Sequence, residues 1–91
     1  MSDLTVESAI ALASERVGQI GREAGYALEL LREHTIEIAR GWIFFYNSSD
    51  YVRTQDPSYE LGGNGPIFVT RQGDLHELPS AKPWEEAVRD I

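Results

Sequence analysis

The run Trp42-Ile43-Phe44-Phe45-Tyr46 constrains this chain more than any other feature. Successive side chains of a strand point to opposite faces, so five consecutive β-formers put apolar groups on both sides. Such a strand belongs at the centre of a sheet, with cover above and below. Between Thr35 and Asn47, Ile36, Ile38, Trp42, Phe44 and Tyr46 share one parity, while Ile43 and Phe45 take the other. Gly41 fits a bulge, which would shift the parity of Ile36 and Ile38 relative to Trp42. A chain of 91 residues fits one domain, residues 1–91.

Cover for this strand begins with a helix from about Thr5 to Gln19 or slightly beyond. Val6, Ala9, Ile10, Ala13, Val17 and Ile20 recur at spacings of three and four and form one apolar stripe. Thr5 suits the N-cap, Glu7 favours the first turn, and Gly21 and Gly25 end the helix. Residues 26–33 are ambiguous. Their Leu, Glu, Ala and Arg content favours a helix, yet Tyr26, Leu28 and Leu30 alternate with Ala27 and Glu29 as in a strand.

From Ser48 to Pro66 no period persists, which is unusual where connections typically run about 4–6 residues. Within it, Asp56-Pro57 is an N-cap and N1 pair that starts one helical turn through Glu60. Ile67-Phe68-Val69-Thr70, a turn at Arg71-Gln72-Gly73-Asp74, and Leu75-His76-Glu77-Leu78 form a hairpin that Pro79 ends. Pro83 opens a short closing helix through Val88. The order predicts an α+β fold: an N-terminal helix, an antiparallel sheet of three to four strands with a long connection before the last hairpin, and a short C-terminal helix. Both helices are expected on one face.

Charge narrows the function. The chain carries 8 basic and 15 acidic side chains, a formal net charge of −7, with acids in excess in both halves and no cluster of Arg or Lys. Binding nucleic acid requires cations that displace counterions from phosphates, and anionic membranes attract the same groups. Neither partner is expected. The absence of cysteine removes disulfides, thiolate metal sites and a cysteine nucleophile, and fits a reducing cytoplasm. No apolar run approaches the ~18 residues of a membrane span, and Met1-Ser2-Asp3 lacks the pattern of a signal peptide. A cytoplasmic location is expected.

No catalytic constellation emerges from the residues. His34 and His76 lack a second ligand at metal spacing, and His76 and Glu77 point to opposite faces of a strand. Asp50, Asp56 and Glu60 share the long connection, but Ser, Thr, Gln and Pro around them promise no apolar pocket to shift a pKa. Gly62-Gly63-Asn64-Gly65 precedes Pro66 and a strand rather than a helix, so it reads as a backbone turn and not a phosphate cradle. Ser80 and Lys82 fit capping better than a Ser–Lys dyad. No enzyme, metal or cofactor is expected. What remains is a surface for protein recognition: Tyr51 and Tyr59, with Asp50, Asp56 and Glu60, put rigid aromatic area and negative charge on one segment. The alternative is that both tyrosines tuck back onto the sheet.

Several motifs in order resemble one family. Gly41-Trp42-Ile43-Phe44-Phe45-Tyr46 is similar to its central strand, Tyr51-Val52-Arg53-Thr54-Gln55-Asp56 to its following turn, and Leu61-Gly62-Gly63-Asn64-Gly65-Pro66 to its glycine–asparagine–proline corner. Gly73-Asp74-Leu75-His76 and Ser80-Ala81-Lys82-Pro83-Trp84-Glu85-Glu86 resemble its hairpin and the start of its terminal helix. This is the immunity protein thirty-five family of bacterial polymorphic toxin systems, which includes the YrhB-like proteins. The resemblance implies a small cytoplasmic protein that binds and neutralises a cognate toxin, and a strand in residues 26–33. The hairpin around Gly73 is a residue shorter than usual, and Val88-Arg89-Asp90-Ile91 lacks the expected aromatics. The matching residues are structural in type, so no toxin contact carries over. Some relatives imply a second role, as a heat-stable stress or chaperone-like protein that binds unfolded clients. Nothing in the residues speaks to self-association.

Overall fold

A computed structural model describes residues 3–91; the signal-peptide reading of Met1-Ser2 lies outside them. Helix α1 spans Val6–Ala24, followed by β1 (Leu28–Leu30) and a 3-10 turn at Arg32–His34. Strands β2 (Ile36–Ile38), β3 (Gly41–Phe44) and β4 (Tyr46–Ser48) lead into α2 (Ser49–Thr54) and a second 3-10 turn at Pro57–Tyr59. Strands β5 (Ile67–Thr70) and β6 (Leu75–Glu77) and helix α3 (Trp84–Arg89) complete the α+β fold. A four-stranded antiparallel sheet has the order β2-β3-β5-β6, and β1 pairs with β4 beside it. Among the described residues, no helix is long and apolar enough to cross a membrane.

The central run behaves as its side chains dictate. All residues of β3 and β5 are buried, and the two strands pair directly, Trp42 opposite Val69 and Ile43 opposite Phe68. On one face Trp42, Phe44, Ile67 and Val69 pack against Ala9, Ala13 and Val17 of α1. On the other, Ile43 and Phe68 pack against Leu78 and against Ala87 and Val88 of α3. The helices therefore lie on opposite faces, not on one as expected. A strand with large side chains on both sides admits no other arrangement, because each exposed face would leave several apolar groups in water.

Three local expectations change. The segment 35–47 is a hairpin and not a single bulged strand: Ile38 pairs with Gly41, and Ala39-Arg40 form the turn. Gly41 sits at φ 154°, and a Cβ there would lie 2.0 Å from the Val69 carbonyl oxygen, so only glycine lets β5 approach. Ile36 and Ile38 still end on the Ile43 face, through the turn and not a bulge. Helix α1 runs through Gly21, whose missing side chain makes room for the Tyr26 carbonyl and Leu28, and ends where Gly25 takes a left-handed conformation. The ambiguous residues 26–33 divide into strand β1 and a helical turn. Leu31 still donates its N–H to the Phe45 carbonyl at 2.8 Å, and the turn at Arg32–His34 follows before pairing resumes at Ile36 and Ile43.

Two arginines secure the covers. The Arg71 guanidinium lies 4.5 Å from the centroid of the Trp42 ring, donates to the Ile38 carbonyl at 2.7 Å, and pairs with Glu37 at 2.9 Å. Arg40 lies over Phe68 and donates to the Val88 and Ile91 carbonyls, holding the C-terminal end of α3. Trp42 is only 2% exposed. Trp42→Ala is expected to cost about 3–5 kcal/mol, a large part of the ~5–15 kcal/mol of a typical domain, as read by urea denaturation.

Candidate protein-recognition site

The end of β4 generates the lobe that carries the expected contact residues. Ser48 adopts extended backbone and caps α2, its Oγ accepting from the Tyr51 N–H at 3.0 Å. The same hydroxyl donates to the Tyr59 carbonyl at 2.7 Å. Asn47, 6% exposed, holds Leu61 in both directions: Nδ2 donates to its carbonyl at 3.2 Å, and Oδ1 accepts from its N–H at 2.7 Å. Asn64 donates to the Tyr46 carbonyl at 2.7 Å. The long connection is thus ordered by side-chain hydrogen bonds to the strand it leaves.

Within the lobe, Asp50 pairs with Arg53. Asp56 caps the turn at Pro57–Tyr59, its Oδ1 accepting from the Ser58 N–H at 3.0 Å and hydroxyl at 2.9 Å. These two bonds, the backbone one first, hold the Asp56 carboxyl below the ordinary aspartate range. Glu60 makes no ion pair or side-chain hydrogen bond with any described residue, and its carboxylate faces solvent. Tyr59 is 47% exposed, and Tyr51 is half-buried. All five expected residues therefore lie on one lobe, but their work differs. Asp50 and Asp56 make local bonds within the lobe, while the side chains of Tyr59 and Glu60 are exposed.

Other polar groups do not converge. His76 stacks on Phe68 at 5.9 Å, in a groove of about 430 Å³ between β6 and α3 that neither Asp50 nor Glu60 lines. Lys82 donates to Asp90 at 2.8 Å, which raises its pKa, the opposite of what a general base beside Ser80 requires. Among the described residues, no three His, Cys, Asp or Glu side chains are grouped to hold a metal ion. The lobe's organising residues, Asn47, Ser48 and Asn64, and helix α2 itself, did not stand out in the sequence. A signal for the helix exists: Ser48 followed by Asp50 has the pattern of an N-cap and first turn.

The Asp56 cap has a pH signature. A depressed folded-state pKa gives stabilisation present above the ordinary aspartate pKa and lost as pH falls through the lowered one. The Ser58 amide resonance is expected to shift in NMR titration below the usual aspartate range, and Asp56→Asn, which keeps an acceptor, removes that shift.

Comparison with known proteins agrees with the order of motifs along the chain. Uncharacterized protein YrhB of Escherichia coli (strain K12) is 34% identical over 53 residues, which cover 57% of this chain and 56% of YrhB. The match thus spans little more than half the length of that relative. No solved structure matches. The Immunity protein 35 family matches residues 7–90, from the first turn of α1 to the end of α3, and the chain belongs to that family.

Proposed function

We propose that this protein binds a cognate bacterial toxin in the cytoplasm of the cell that makes both, and neutralises it by covering its active site. The family match over residues 7–90 carries this reading. The lobe of α2 and the Pro57–Tyr59 turn is the contact surface: Tyr59 supplies an aromatic anchor and Glu60 a free carboxylate beside it. Asp50, Tyr51 and Asp56 shape the lobe and form its rim. A net charge of −7 favours capture of a basic toxin surface and speeds encounter. The protein acts by occlusion and contributes no bond-making group.

A chaperone-like role finds less support. It calls for a contiguous exposed apolar patch. Among the described residues, the exposed large apolar side chains are Val6 and Leu12 on α1, Tyr26 after it, Tyr59 in the second 3-10 turn and Ile91 beyond α3.

Co-expression with the toxin encoded beside this chain is the direct test, with rescue of growth and recovery of a complex expected. Continued killing by the toxin in the presence of soluble, uncomplexed protein would falsify the proposal. Tyr59→Ala is expected to weaken binding by about 30-fold or more, the loss typical of an aromatic anchor, without altering the thermal transition. The association rate should fall steeply as salt is raised, as measured by stopped-flow mixing.

A further inference from the structure

Helix α2 has six residues, none of them buried. A helix this short does not hold itself in water, and its apolar anchor is only the half-buried Tyr51 and Val52. The neighbouring 3-10 turn has no buried residue. Apolar packing is therefore partial in the lobe, and directed polar bonds carry much of its order.

One hydroxyl joins the two halves. Ser48 Oγ accepts from the first turn of α2 at Tyr51 and, with its single proton, donates to the Tyr59 carbonyl at the end of the 3-10 turn. Asn47 fixes the backbone two residues further on, at Leu61. Tyr59 is thus tied at its own carbonyl and flanked by a second tie, while its ring stays out in solvent. An exposed aromatic on a tied backbone meets a partner already placed, which lowers the ordering cost of association.

We infer that Ser48 is a positioning residue for partner docking: by bonding Tyr51 and Tyr59 at once, it presents the Tyr59–Glu60 corner preformed. This rests on the lobe being the toxin contact. The two bonds are separable by chemistry. Thr keeps both donor and acceptor, ionised Asp keeps only the acceptor that caps α2, and Ala keeps neither.

The test combines two measurements on the full chain with Ser48→Ala, Ser48→Asp and Ser48→Thr. Hydrogen exchange is read in the free protein. Binding is read by surface plasmon resonance against the toxin encoded beside the chain, inactivated by an active-site substitution. In Ser48→Ala, amide exchange across residues 49–61 should rise by about 5- to 10-fold, the loss of an ordinary hydrogen bond, while amides of β3 and β5 stay protected. Ser48→Asp should restore protection in α2 alone, and Ser48→Thr in both halves. Toxin dissociation should accelerate in Ser48→Ala and Ser48→Asp, and return to the original rate in Ser48→Thr. Unchanged exchange at residues 57–61 in Ser48→Ala overturns the positioning role, whatever binding does. Loosened exchange with unchanged binding overturns it too, and if Tyr59→Ala also leaves binding unchanged the lobe is not the toxin contact. Binding lost by Tyr59→Ala but unaffected in Ser48→Ala leaves the contact in place and sinks only the positioning role.

Discussion

Strands β3 and β5 meet no solvent on either side, and most of the remaining structure answers to that double burial. Each face demands its own cover, so the two helices separate. Helix α1, 19 residues long, spreads over the Trp42 and Phe44 side, where Ala9, Ala13, Val17 and Gly21 keep its buried stripe small and bring its backbone close to the sheet. The short α3 packs on the Ile43 and Phe68 side, and Arg40 adds to it by donating to the Val88 carbonyl in its last turn and to Ile91 beyond it. The main-chain bond from Arg71 to Arg40 sets the two cations side by side, one laid over each face.

The α2 lobe is held differently. Its helix has no fully buried residue, and much of its geometry comes from Asn47, Ser48, Asp56 and Asn64, each making directional bonds to backbone. Burial is non-directional and tolerant of detail, whereas a hydrogen bond fixes position and fails with its partner. A sheet protected on both faces thus carries an appendage whose shape depends on a handful of polar side chains. Changes on the outer surface of that appendage leave the apolar core untouched.

The parts of the fold that rest on periodicity were legible from the residues. The stripe in α1, the strand Ile67–Thr70, its hairpin partner and the closing helix all follow from apolar spacing and from Gly or Pro at their ends. The Asp56-Pro57 pair announced its helical turn in the same way. Elements that rest on pairing were not legible. The Ala39-Arg40 turn lacks the Asn-Gly or Gly-rich signature of a tight hairpin, and the glycine that makes it possible stands one residue later, where its role is to admit β5. Placing both helices on one face conflicts with the Trp42–Tyr46 run, which itself requires two covered faces. In the candidate site, the Asp56 cap was legible, but not the pairing of Asp50 with Arg53. The ties that place the lobe, Ser48 to Tyr59 and Asn47 to Leu61, join residues 11 and 14 apart, and no short-range pattern ranks such partners.

The turn at residues 32–35 bears on how such a protein diversifies. Strand bonds flank it, the Leu31 N–H on the Phe45 carbonyl before it and Ile36 paired with Ile43 after it, so the turn stands outside the hydrogen-bonded register. Arg32, Glu33 and His34 are exposed, and residues gained or lost there slide no strand past its neighbour. The chain thereby holds a site where length itself is free to vary while the sheet stays in step.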